Sequence, residues 1–253
     1  MNAMLHGIES EWTLGDSLSP DGQDLAKADV ILTNPPFGTK KGGGLPTRDD
    51  FTFPTSNKQL AFVQHIYRGL KPGGRAAVVL PDNVLFEDGI GVDVRRDLME
   101  KCDLHTVLRL PTGIFYAQGV KTNVLFFRKG DTKDKGNTQA VWVYDLRTNM
   151  PQFGKRTPLT REHFKEFEKA YGSDPLGKAK RKDQGEEGRF RKFTREAIAQ
   201  RGDNLDISWL RDENATNAAD LPPPEELASW ITAKLRTALK EMDALTDSLG
   251  VEA

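Results

Sequence analysis

The chain has 253 residues, with 36 basic against 37 acidic side chains and a formal charge of −1. Hydrophobic residues make up 37% and charged residues 29%, and no apolar run approaches the ~20 residues of a membrane span or forms a signal-peptide core. A single cysteine, Cys102, excludes an internal disulfide framework and a Cys-rich zinc site, and four scattered histidines argue against a metal cluster, so no metal and a reducing cytoplasm are expected.

In chain order, Ala28–Thr33 (ADVILT) is a short apolar run ending in a turn and reads as a buried strand. Asn57–Leu70 places Leu60, Ala61, Val63, Ile66, Tyr67 and Leu70 at helical spacing, and Lys71-Pro72-Gly73-Gly74 breaks the helix. Arg75–Leu80 predicts a second buried strand stopped by Pro81, and Val92–Cys102 a helix with a charged outer face. Strands follow at Leu104–Leu110, Thr122–Arg128 and Gln139–Leu146. This alternation predicts an α/β sheet with helices on its faces.

After residue 150 the texture changes. Pro151–Gly202 is rich in Lys, Arg, Gly and Glu, and predicts helix fragments and loops. Beyond Leu221-Pro222-Pro223-Pro224, the positions Leu227, Trp230, Ile231, Leu235, Leu239, Met242 and Leu245 line one face of a helix over Glu225–Leu249. Such a stripe serves equally a docking helix or one packed on its own domain. The expected division is residues 1–150, a basic extension at 151–220, and the helix at 221–253. Charge is unevenly placed: residues 1–100 carry −4, 101–150 carry +4, 151–202 carry +6 and 203–253 carry −7. A basic middle beside an acidic tail suggests a polyanion-facing surface and a separate partner-facing segment, although a solvated charged linker has the same composition.

The residues with the most chemistry are Asn34-Pro35-Pro36-Phe37, directly after the first strand, where open α/β sheets place ligands. Two prolines remove backbone donors and stiffen the loop. The Asn34 side-chain oxygen and the Pro35 carbonyl then offer two acceptors for the two hydrogens of an exocyclic amine. Phe37 adds a face for a planar ring. The pattern suits an aromatic amine extruded from a nucleic-acid stack. Four residues alone read equally as a turn.

ADVILTNPPFG resembles motif IV of the amino-methyltransferases that methylate adenine N6 in DNA. Residues 60–86 (LAFVQHIYRGLKPGGRAAVVLPDNVLF), residues 109–130 (RLPTGIFYAQGVKTNVLFFRKG) and LPPPEELASWITAKL near the end resemble the modification subunit of type I restriction–modification systems. The resemblance implies the C-terminal part of a Rossmann-like sheet that uses S-adenosyl-L-methionine. It implies a catalytic role for Asn34, Pro35, Pro36 and Phe37, and cofactor contacts at Asp16 and Asn34. It also implies stacking on the target base by Phe37 and Phe115. Read alone, Asp16 is a turn carboxylate and Phe115 a core residue. Lys58–Phe62 falls where the family places a cofactor-contacting helix start. The implied partners are double-stranded DNA with a flipped adenine, a specificity subunit and a restriction subunit. Lys40, Lys41 and Arg48 flank a Gly42–Gly44 run and are candidates for the DNA backbone.

One departure stands out. The family's Gly-rich cofactor loop, upstream of the Asp16 block, has no counterpart in these residues. The sequence therefore resembles the C-terminal half of such a subunit, with the N-terminal half as a further expected partner, and the chain alone is expected to be inactive. Two other functions fit the loop: a non-catalytic docking module, or methylation of a protein glutamine or an RNA base.

Overall fold

The computed structural model describes residues 5–9, 11, 13–37, 46–115, 120–131, 135–151, 153–212 and 224–249. Residues 1–211 form one compact unit and residues 212–253 another. In the first, elements alternate as the hydrophobic pattern predicts: β1 (Ala28–Thr33), α1 (Lys58–Gly69), β2 (Leu70–Pro81), α2 (Asn83–Phe86), α3 (Ile90–Lys101) and β3 (Cys102–Arg109). β4 (Thr122–Lys129), β5 (Ala140–Asp145), α4 (Lys165–Tyr171), β6 (Phe190–Thr194) and α5 (Arg195–Gln200) follow. Asn57 starts α1 by accepting the Gln59 and Leu60 amides on its side-chain oxygen, at 2.9 and 3.2 Å.

The six strands form one mixed sheet in the order β1-β2-β4-β3-β5-β6. β1 runs parallel to β2, and β3 to β5; the other pairings are antiparallel. Successive side chains leave opposite faces. Ala76, Val78 and Leu80 of β2, Leu125 and Phe127 of β4, and Val141 and Val143 of β5 meet Leu60, Val63, Ile66, Tyr67 and Leu98 of α1 and α3. The opposite face gathers Leu108, Tyr144, Phe167 and Phe190, with Phe126 and Trp142 against them.

Three expectations change. Ala28–Thr33 is a strand but not a buried one: it pairs only with β2, and Val30 and Leu32 are 43% and 77% exposed. Among the described residues no strand lies on its outer edge, so only Ile31 reaches the core. Lys71-Pro72-Gly73-Gly74 sits inside β2 rather than between elements. Opposite it the register slips between Ala28 and Val30, a bulge that Gly73 permits with φ +76°. Part of the basic stretch after residue 150 also joins the sheet, since Phe190–Thr194 pairs with β5. Its Phe190 is fully buried and stacks on Trp142.

The C-terminal ends of the parallel strands are clamped together. Asp82, just past β2, takes two hydrogen bonds from Arg147, just past β5, at 2.8 and 2.9 Å. It takes a third from Asn123 of β4 at 2.7 Å. Arg147 also donates to the Leu110 and Thr122 carbonyls at 2.9 and 2.8 Å. Burial works against charge on Asp82, but Arg147 and then Asn123 outweigh it and hold its carboxyl below the usual range.

In the second unit, α6 (Pro224–Leu249) carries Ile231, Leu235, Leu239 and Met242 on one exposed stripe. Among the described residues, no helix is long and apolar enough to cross a membrane.

Burial predicts opposite costs for two leucines of one sheet. Leu125→Ala removes a side chain that is 1% exposed and is expected to cost about 3 kcal/mol. Leu32→Ala is expected to cost under about 0.5 kcal/mol. Urea unfolding of the two variants measures both. The Asp82–Arg147 pair predicts a pH signature. A depressed carboxyl stabilises the fold above its unfolded pKa of about 3.9 and loses that contribution as pH falls through the folded value. The gap in melting temperature between the wild type and Arg147→Met should therefore be constant from pH 7 to about 5 and narrow below about 4. A gap that is unchanged in acid would show that the pair does not carry the stability.

Candidate functional site

Asn34-Pro35-Pro36-Phe37 leaves β1 as irregular chain at the same end of the sheet as the Asp82–Arg147 clamp. Pro35 is buried and pins the loop, while Asn34 and Pro36 are exposed. Phe37 is half-buried and meets Phe115 edge to face, with ring centroids 5.6 Å apart and planes at 89°. The structure thus brings together two aromatics 78 residues apart in sequence that share no strand or helix. Edge-to-face pairing leaves a face of at least one of the two rings uncovered by its partner.

Several anchors place Phe115. Its loop begins at Leu110, whose amide donates to the Thr122 carbonyl at 2.9 Å and whose carbonyl is held by Arg147. Gly113 lies at φ +81°, and a Cβ there would come within 2.2 Å of the Phe153 carbonyl oxygen. Any other residue at 113 would push the loop, and Phe115 with it, out of place. Arg147, Asp82 and Asn123 were not singled out from sequence. For Asp82 and Arg147 the available signal was a polar residue just past an apolar strand run, at the end where ligands bind.

On the other side of β1, a cavity of about 260 Å³ is lined by Ser17, Leu25, Ile31, Thr33, Phe62 and His65 among others. It runs between the neighbours of Asp16 and Asn34. Asp16 is exposed and forms a turn: its Oδ1 accepts the Leu18 amide at 2.9 Å, and its carbonyl accepts the Ser19 amide and hydroxyl. Its other oxygen, Oδ2, makes no hydrogen bond to a described residue. The turn and the ligand readings of Asp16 are therefore compatible. Within Lys58–Phe62, where sequence favoured no residue, Phe62 is the side chain that reaches this cavity. An apolar slot with an aromatic wall, whose lining starts at Ser17 next to Asp16, has the chemistry to hold a purine ring, so these residues fit the adenosine part of S-adenosylmethionine.

Arg48 does not stand where the sequence suggested. Its side chain is 3% exposed, and it donates to both oxygens of Asp50 at 2.8 and 2.7 Å. It also donates to the Ser17 and Gly22 carbonyls and to His65. With its donors committed inside the fold, it cannot follow a DNA backbone; its expected surface role is replaced by an internal one. Lys40 and Lys41 lie outside the described residues. No group of three or more His, Cys, Asp or Glu among the described residues could hold a metal ion. Cys102 is buried, and burial pushes its thiol up to about 12, so it stays protonated.

A family model described as N-6 DNA Methylase matches residues 1–218. The Type I restriction enzyme EcoKI methylase subunit of Escherichia coli K12 is 52% identical over 284 aligned residues, covering 99% of this chain and 53% of that protein. The StySJI methylase subunit of Salmonella typhimurium matches with the same identity and coverage. The chain spans about half the length of these relatives. Among solved structures, the EcoKI M protein superposes with a TM-score of 0.80 at 51% identity, covering 99% of this chain and 57% of that one. A modification subunit of a putative type I restriction enzyme from Vibrio vulnificus gives 0.62 at 27% identity, with 87% and 46% covered. The sheet is therefore that of type I methyltransferase subunits, as the resemblance implied, and the chain belongs to the N-6 DNA methylase family.

Proposed function

We propose that this chain carries the target-base half of an adenine-N6 DNA methyltransferase, acting as part of the modification subunit of a type I restriction–modification complex. The observation that carries this reading is the Phe37–Phe115 pair beside Asn34, at the strand end of a sheet belonging to this family. S-adenosylmethionine, when bound, supplies an activated methyl group on a sulfonium. The chain's own residues do the rest. The Asn34 side-chain oxygen and the Pro35 carbonyl accept hydrogen bonds from the two N6 hydrogens of an adenine turned out of double-stranded DNA. Adenine N6 is a weak nucleophile because its lone pair is delocalised into the ring. Two acceptors favour a pyramidal nitrogen as the new bond forms, which stabilises the transition state more than the ground state. Phe37 and Phe115, packed edge to face on each other, are the proposed aromatics against the target base. Asp16 and Asn34 are the proposed cofactor contacts, with Phe62 as an apolar wall.

In this reading residues 1–150 are the partial catalytic domain and residues 151–220 its basic extension. Residues 221–253 are the docking segment, and the apolar stripe of its helix α6 faces a specificity subunit. A restriction subunit joins the assembly, and the cytoplasm is the proposed compartment. Two further residues, Lys40 and Lys41, remain the proposed backbone contacts. The Gly-rich cofactor block would come from an N-terminal half of the subunit.

Two measurements test this. In an enzyme assembled from the chain, a polypeptide with the Gly-rich block and a specificity subunit, Asn34→Ala should lower methyl transfer by about 10²-fold or more, with DNA affinity within about threefold of the wild type. Normal turnover by the variant would remove the catalytic assignment. Calorimetry on the chain alone should show S-adenosylmethionine binding weaker than millimolar, because half of the contacts are missing; micromolar affinity would contradict this division of the cofactor site.

A further inference from the structure

The end of the sheet away from Asn34 holds a second concave site. A polar cavity of about 320 Å³ opens there, lined by Lys27 before β1, Arg68 and Gly69 at the end of α1, Lys101 at the end of α3 and Lys129 at the end of β4. Its remaining lining includes Arg48, Asp50 and His65. The six residues of β1 separate it from the Asn34 loop by roughly 20 Å.

Five cations converge on this cavity against one lining carboxylate. That carboxylate is already engaged: Asp50 takes both forks of Arg48 and a bond from Arg68 at 3.1 Å. Lys101 is paired with Asp97 at 2.9 Å. Lys27 and Lys129 have no carboxylate partner among the described residues; Lys129 instead lies 5.6 Å from the centre of the Tyr67 ring. Cations in the last turns of α1 and α3 are expected, since helix C-termini carry partial negative charge. That accounts for Arg68 and Lys101. It does not account for Lys27 and Lys129, which come from strand ends.

The histidine is held in one tautomer. Arg48 Nη1 sits 2.6 Å from His65 Nδ1. A guanidinium only donates, so Nδ1 is the acceptor and the neutral ring carries its hydrogen on Nε2. Burial and then the Arg48 charge lower the His65 pKa, keeping the ring neutral at neutral pH. Arg48, engaged by Asp50, thus fixes the tautomer of a histidine in the lining of a basic cavity.

We propose that this cavity binds a phosphate group, held by Lys27, Lys129, Arg68 and the His65 Nε2–H, with Arg48 as the positioning residue. This cavity shares Leu25, His65 and Gly69 with the apolar one beside β1, but Lys27, Arg68 and Lys129 line it alone, so the proposal does not rest on the methyl-transfer assignment. The phosphate is either a small free anion or a phosphate of the nucleic-acid backbone; both present the same oxyanion to the same donors.

Phosphorus NMR or calorimetry on the full chain in chloride buffer, titrated with inorganic phosphate, tests this. The expected result is saturable binding to one site, weakened about tenfold or more in a Lys27→Gln, Lys129→Gln double variant whose melting temperature is unchanged. His65→Phe should weaken binding while His65→Gln, which keeps a donor, restores part of it. A short duplex oligonucleotide then separates the sources: displacement of bound phosphate indicates the nucleic-acid backbone, and retention indicates a free anion. Absence of saturable binding, or binding unaffected by the lysine substitutions, would overturn the proposal.

Discussion

The Asp82–Arg147 pair is the constraint on which the candidate site depends. It joins the end of β2 to the end of β5, and through Asn123 and the Leu110 and Thr122 carbonyls it fixes β3 and β4 as well. Both partners are largely shielded, at 10% and 14% side-chain exposure, so removing either one strands a charge at a cost of about 3 kcal/mol or more. A strand end held by hydrogen bonds in two directions allows the following loop to be short and still aim a side chain. Phe115 reaches Phe37 for that reason, and an aromatic platform for a base requires that both rings stay in place.

The two edges of the sheet are treated differently. β6 is a short strand whose outer backbone groups are partly met by the preceding turn: Gln184 donates to the Phe190 carbonyl at 2.9 Å and Asp183 accepts the Lys192 amide at 2.8 Å. β1 presents Val30 and Leu32 to solvent, with apolar cavities on both sides of the strand. An exposed apolar edge strand is a liability unless something pairs with it. The same strand delivers Asn34 and Phe37 at one end and Lys27 at the other. Both proposed sites therefore take their alignment from β1, and whatever stabilises β1 bears on both.

Much of this was legible in sequence because it follows from periodicity. Ala76, Val78 and Leu80 alternate as a strand must, and α1 and α3 follow helical spacing over three turns. The motif order was legible too, since Asn34–Phe37 follows a strand and Phe115 lies in a separate recognisable block. Other features were hidden for identifiable reasons. Pro72 and Gly73 look like a terminator, but a bulge lets them sit in β2. β6 is encoded in FRKFT, whose two aromatics are three residues apart and so pack on opposite faces of the sheet, which hides the alternation that marks a strand. Arg48 looked like a surface cation because sequence does not reveal that Asp50, two residues later, and His65, seventeen later, would enclose it. For Asp82 and Arg147 the sequence marks each position, a polar residue just past an apolar strand run, but not that the two pair.

In the proposed enzyme the Asn34–Phe37 loop, beside Phe115, receives a base turned out of the duplex. The most direct measurement is the fluorescence of 2-aminopurine placed at the target adenine, in the enzyme assembled with its complementary polypeptide and specificity subunit. The account predicts a large rise on complex formation, since extrusion relieves stacking quenching, and a changed intensity with Phe37→Ala, because the ring that contacts the extruded base is lost. A duplex that binds equally tightly but shows no fluorescence change, with either Phe37 or Ala at that position, would contradict it.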